Sequence, residues 1–124
     1  MIRVIEGINA EGRILDLDIG CQAGGLLEYL NGRFAERYEV DIGNYNDYWG
    51  KIEGCSFQIV DIDKETLPFA DSYFDIVTCI MVLEHVFDVF NAMSELSRVT
   101  RPNGFVIIEV PNISYFKHIF SLIL

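Results

Sequence analysis

The sequence predicts an α/β domain with a doubly wound, mostly parallel sheet of about five strands and helices on both faces. Three observations predict it. Short apolar runs alternate with helical stripes along the chain. Ile76-Val77-Thr78-Cys79-Ile80 has the β-branched character of a parallel strand buried on both faces. The stretch from Ile14 to Gly25 runs from an apolar segment through Asp18 into a glycine-bearing turn and then a helical pattern. In open α/β folds that junction lies at the carboxyl edge of the sheet, where ligands bind.

Before the first strand, Ile14 to Asp18, the residues Gly7, Asn9 and Gly12 make a poor helix. After the glycine loop, Leu26, Leu27 and Leu30 form a helical stripe that ends near Asn31-Gly32. A second strand is expected over Tyr38 to Asp41. Between Gly43 and Gly54, the asparagines and glycines favour turns, and Tyr45, Tyr48 and Trp49 form an aromatic cluster suited to a packed surface loop or to stacking on a flat ring. Ser56 to Asp61 reads as the third strand and Ile76 to Ile80 as the fourth. Ala92, Met93, Leu96 and Val99 then form a helical stripe, which Arg101-Pro102-Asn103-Gly104 stops and turns into a fifth strand, Phe105 to Val110. A last apolar stripe, Phe116, Ile119, Phe120 and Ile123, reads as a helix.

Composition narrows the function. The 124 residues, 51% hydrophobic, suit one domain over 1–124 with a real core. A net charge of −10 argues against a nucleic-acid partner, because that affinity comes mainly from Lys and Arg neutralising phosphates. Cys21, Cys55 and Cys79 are odd in number and lack metal-ligand spacing, so no metal site is expected and the thiols point to a reduced, cytoplasmic setting. No segment reads as a membrane span, which needs roughly 20 apolar residues.

Two nucleotide frames fit the glycine loop. A dinucleotide fingerprint Gly-x-Gly-x-x-Gly would use Gly20, position 22 and Gly25, but Gln22 would crowd a pyrophosphate and Asp18 would repel it. An NAD-type oxidoreductase is therefore disfavoured. The other frame, Asp18-Ile19-Gly20-Cys21-Gln22-Ala23-Gly24, resembles the Asp-x-Gly-x-Gly-x-Gly signature of class I S-adenosylmethionine-dependent methyltransferases, with Gln22 replacing one glycine. Leu67-Pro68-Phe69, Phe74-Asp75, Leu83-Glu84-His85-Val86 and Arg98-Val99-Thr100-Arg101-Pro102-Asn103-Gly104 resemble further segments of that family, in the same order.

The resemblance implies a Rossmann-like fold, S-adenosyl-L-methionine as cofactor and a small-molecule methyl acceptor. It places Asp18 near the cofactor's amino group, Gly20, Cys21, Gln22 and Gly24 in its cradle, and Asp41 on the ribose hydroxyls. Asp61 and Ile62 fall at the adenine, with Asp63 as the competing frame because it stands four residues before Leu67. Cys79 and Ile80 would offer backbone groups to the methionine part, and His85 is the candidate catalytic base. The family's usual antiparallel strand pair after the fifth strand has no counterpart here, so the chain reads as shortened at both ends. Self-association through the fifth-strand edge or the C-terminal helix is expected. A cofactor-binding module without independent catalysis is the alternative function.

Overall fold

The computed structural model describes residues 2–18, 25–43 and 54–112. The glycine-loop residues Gly20, Cys21, Gln22 and Gly24, the Tyr45, Tyr48 and Trp49 cluster, and the stripe from Phe116 to Ile123 lie outside the described residues. The elements are α1 (Ile2–Gly7), β1 (Arg13–Asp18), α2 (Gly25–Tyr29), β2 (Glu36–Asp41), β3 (Cys55–Ile59), β4 (Phe74–Ile80), a one-turn 3-10 helix (Leu83–His85), α3 (Val89–Val99) and β5 (Thr100–Glu109).

The five strands form one parallel sheet in the order β3-β2-β1-β4-β5. Chain order reverses between β1 and β4, so a crevice opens at their carboxyl ends. One face of the sheet packs Leu15, Leu17, Val40, Val77 and Cys79 against Ala92, Leu96 and Val99 of α3. The other packs Ile14 and Ile76 against Ile5, Leu27, Leu30 and Phe34. The run read as apolar in β1 also buries Asp16, whose carboxylate bonds the hydroxyl of Thr78 in the adjacent strand.

Two segments differ from the sequence expectation. Ile2–Gly7 is helical despite Gly7, because Ile5 is fully buried and Arg33 donates to the carbonyls of Ile5 (2.5 Å) and Ile8 (2.6 Å) near the helix end. Arg101–Gly104 is a bulge inside β5, not a turn before it. Phe74 pairs with Thr100 and Ile76 with Phe105, so the extra residues loop out between the two pairs. Arg101 ties this bulge to Asp75 at 2.8 Å, and Asn103 takes a left-handed φ of 63°. A Cβ on Gly104 would lie 2.8 Å from the Asp75 carbonyl oxygen, which explains why glycine stands there.

Candidate functional site

At the carboxyl ends of the strands a cleft of about 460 Å³, counting space open to solvent, lies between two walls. β2, β3 and the residues after them supply Val40, Asp41, Ile42, Val60, Asp61, Ile62 and Asp63; the exit of β4 supplies Val82, His85 and Val86. Leu17 of β1 forms the floor. Its lining, mostly apolar with a few convergent carboxylates, has the character of a small-molecule site.

Asp41 is buried at the end of β2 and accepts the Gly43 amide at 3.0 Å. Asp61 follows β3 and accepts the Asp63 amide at 3.1 Å and the Lys64 ammonium at 2.5 Å. Hydrogen bonding from Lys64 outweighs the opposing effect of burial and holds the Asp61 carboxyl below its ordinary range. The residue is thus an ionised acceptor at neutral pH. Asp63 is used differently: it accepts the Phe87 amide at 2.9 and 3.1 Å and the Asp88 amide at 3.0 Å. Asp61 is thus engaged within its own turn, whereas Asp63 reaches across to the exit of β4.

His85 is exposed, and its backbone amide closes the 3-10 turn on the Val82 carbonyl at 2.9 Å. The structure therefore brings Asp41, Asp61, Ile62 and His85 to one cleft. Cys79 is fully buried and, with Ile80, stays within the ladders to β1 and β5. The chain leaves the sheet at Met81, whose φ of 54° is uncommon for a residue with a side chain. Asp18 lies at the last position of β1, paired in register with Ile80.

A second group of residues holds the cleft without lining it. Glu95 of α3, nearly buried, accepts the Leu67 amide at 2.8 Å and pairs with Arg98 at 2.8 Å. Arg98 in turn donates to the carbonyls of Leu67 (2.9 Å) and Phe69 (2.8 Å) and to Asp71 (2.8 Å). The Leu-Pro-Phe segment is thereby strapped to α3. The helical spacing of Glu95 and Arg98 was visible in the sequence, but their common partner is a loop almost thirty residues away, for which the sequence carries no local signal.

Three carboxylates and no Lys or Arg line the cleft; Lys64, outside the lining, pairs with one of them, Asp61, which leaves a net negative balance. That composition disfavours a pyrophosphate and suits hydroxyl and amino donors. The apolar side chains suit the faces of a flat heterocycle. Among the described residues no group of His, Cys, Asp and Glu is arranged to hold a metal ion.

The sheet order and the switch-point crevice define a Rossmann-like fold. A solved S-adenosylmethionine-dependent methyltransferase from Aquifex aeolicus shares that fold, with a TM-score of 0.70 at 19% identity over 86% of this chain and 61% of the other. The YcgJ protein of Bacillus subtilis superposes with a TM-score of 0.71 at 29% identity, covering 86% of this chain and 47% of that one. The chain is also 30% identical over 118 residues to a ubiquinone biosynthesis O-methyltransferase of Alkalilimnicola ehrlichii, covering 91% of this chain and 47% of the relative. It thus spans about half the length of that curated relative. Residues 17–108 match the family described as "Methyltransferase domain", and the chain belongs to that family.

Proposed function

We propose that this chain binds S-adenosyl-L-methionine and is the donor-binding part of a methyltransferase acting on a small molecule. The observation that carries this reading is the cleft itself, where Asp41 and Asp61 stand at successive strand ends between apolar walls free of Lys and Arg. Asp41 accepts the ribose hydroxyls, Asp61 accepts the adenine amino group, and the backbone of Ile62 meets the purine ring. Val60, Val82 and Val86 cover the faces of that ring. Asp18 attracts the ammonium, the loop residues Gly20, Cys21, Gln22 and Gly24 cradle the carboxylate, and the strand end at Cys79 and Ile80 borders the methionine part.

When bound, the cofactor supplies a methyl group on a sulfonium for in-line displacement by the acceptor. The chain's own contribution to that chemistry is positioning and exclusion of water. His85 takes a proton only where the acceptor nucleophile must lose one early. The acidic balance of the protein favours neutral or cationic acceptors over anionic ones.

A second reading, a cofactor-binding module without turnover of its own, is favoured by Gln22 in the cradle. Calorimetric titration with S-adenosylmethionine, S-adenosylhomocysteine and NAD tests both readings against the oxidoreductase alternative. Heat from the first two and none from NAD is expected; NAD binding alone overturns the proposal. Binding without methyl transfer across a broad acceptor panel selects the module.

We also propose a cytoplasmic location, supported by the free thiols of Cys55 and Cys79. No described helix is long and apolar enough to cross a membrane. Self-association through β5, at the edge of the described sheet, is supported by the exposed Phe105, Val106 and Ile108. A single monomeric species across a sedimentation concentration series would refute it.

A further inference from the structure

The wall of the cleft contributed by the exit of β4 is packed at its start and bare beyond it: Val82 is buried, and Leu83 and Val86 lie against the same core cluster. Leu83–His85 is a single 3-10 turn with no side-chain cap at its start. Beyond it, Phe87 and Phe90 are 99% and 91% exposed, so their side chains contribute little to holding the segment against the core. Asp63 provides a polar hold instead. Its carboxylate takes the Phe87 amide on both oxygens (2.9 and 3.1 Å) and the Asp88 amide on one (3.0 Å), across 24 to 25 residues of sequence. These are charge-assisted bonds to a backbone that has just left the turn. Asp88 extends the hold by capping α3, its side chain accepting the Asn91 amide at 3.0 Å.

We infer that Asp63 is a positioning residue: it fixes His85 and Val86 as the second wall of the cleft, so that the purine slot exists before the ligand arrives. This rests on the cofactor reading above. Asp63 donates its own amide to Asp61 at 3.1 Å, so the carboxylate proposed to meet the adenine and the one that sets the opposite wall share one turn. Without the clamp the β4 exit samples positions that do not close the slot, and apparent affinity falls by the fraction of time the slot is formed.

The test uses the 124-residue chain and two readouts, S-adenosylhomocysteine affinity by calorimetry and amide hydrogen exchange. Asp63→Asn keeps the side-chain shape and removes the charge. It is expected to bind about tenfold more weakly, the result of a competent population near one tenth. Exchange at the Phe87 and Asp88 amides should rise with it, while the strands of the sheet keep their protection. Arg33→Ala serves as a comparator: it removes the bonds to the Ile5 and Ile8 carbonyls near the end of α1 and touches no residue that lines or holds the cleft, so stability falls while affinity in the cold should stay within twofold of wild type.

In the unmodified chain, saturating S-adenosylhomocysteine should slow exchange at Phe87 and Asp88, a measurement that needs no variant to fold. Unchanged exchange in Asp63→Asn, faster exchange with unchanged affinity, or no ligand-dependent protection in the unmodified chain each overturns the positioning role. Failure of the unmodified chain to bind either S-adenosylmethionine or its demethylated product instead overturns the cofactor reading, and the positioning role with it.

Discussion

Replacing Arg98 with alanine separates residues that hold the cleft from those that line it. In the folded protein its guanidinium serves the carbonyls of Leu67 and Phe69, the nearly buried Glu95 and the exposed Asp71. The Asp71 pair adds almost nothing, because that carboxylate is 78% exposed. The other three partners lose a charged donor, each at roughly 1 kcal/mol, since Arg98 is partly exposed and water replaces some of the contact. The expected loss is about 3 kcal/mol, a large part of the ~5–15 kcal/mol of a typical domain. Urea unfolding followed by circular dichroism at neutral pH measures it, with an unchanged slope marking a pure stability effect.

The pH dependence follows from the same contact. Hydrogen bonding from Arg98 is the main cause that holds the Glu95 carboxyl below its ordinary range. A depressed carboxylate stabilises the fold fully above its unfolded value, about 4.3, and that part is lost as pH falls through the folded value. The gap between wild type and Arg98→Ala should therefore narrow on acidification. A loss under about 1 kcal/mol at neutral pH, or a gap that widens in acid, would refute the strap between the Leu-Pro-Phe segment and α3.

Asp41→Ala should do the reverse, weakening S-adenosylhomocysteine binding by about tenfold or more for the lost bonds to a charged acceptor while the sheet stays folded; unchanged calorimetric affinity removes the ribose assignment. Asn103→Gly should raise stability by about 0.5–1 kcal/mol in urea melts, because φ of 63° suits glycine better than any other residue. Gly104→Ala should lower it by about 1–3 kcal/mol in the same assay through overpacking against Asp75 and Thr100. Burial, with the nearby carboxylates of Glu39 and Asp16 and against Arg37, pushes the Cys55 thiol up to about 12. Iodoacetamide at mildly alkaline pH should therefore leave Cys55 and the buried Cys79 unmodified in the folded chain and label both in urea, as read by peptide mass mapping.

The sheet was legible because its central strands, β1 and β4, are buried apolar runs and glycines and prolines punctuate the chain between elements. Ile14 to Asp18 and Ile76 to Ile80 fall inside the observed strands, and the stripe of Ala92, Leu96 and Val99 is the buried face of α3. Two local readings missed for physical reasons. The penalty for Gly7 is overridden by tertiary burial of Ile5 and by Arg33 at the helix end, neither of which is a local property. Pro102 and Gly104 read equally well as a turn or a bulge, and only the pairing of β5 with β4 decides between them. At the site, Asp41 and Asp61 were legible from their places at strand ends, whereas the clamp by Asp63 depends on amides that any sequence would provide.

The segments that carry the family resemblance divide by role. Leu-Pro-Phe and Arg98 are joined through backbone carbonyls and Glu95, and Asp75 ties the Arg101–Gly104 bulge to the sheet. These contacts join a loop to α3 and the bulge to β4, and none of their residues lines the cleft. The proposed ligand contacts instead come from carboxylates at the strand ends and from the wall that Asp63 pins. A chain can therefore retain the ordered motifs, and with them the fold, after losing turnover, since nothing in the strap or the bulge touches a reacting atom. Sequence likeness in those segments is evidence for the fold. Evidence for catalysis must come from the cleft walls, where changes at Asp41, Asp61 and Asp63 alter affinity while the strap at Arg98 remains intact.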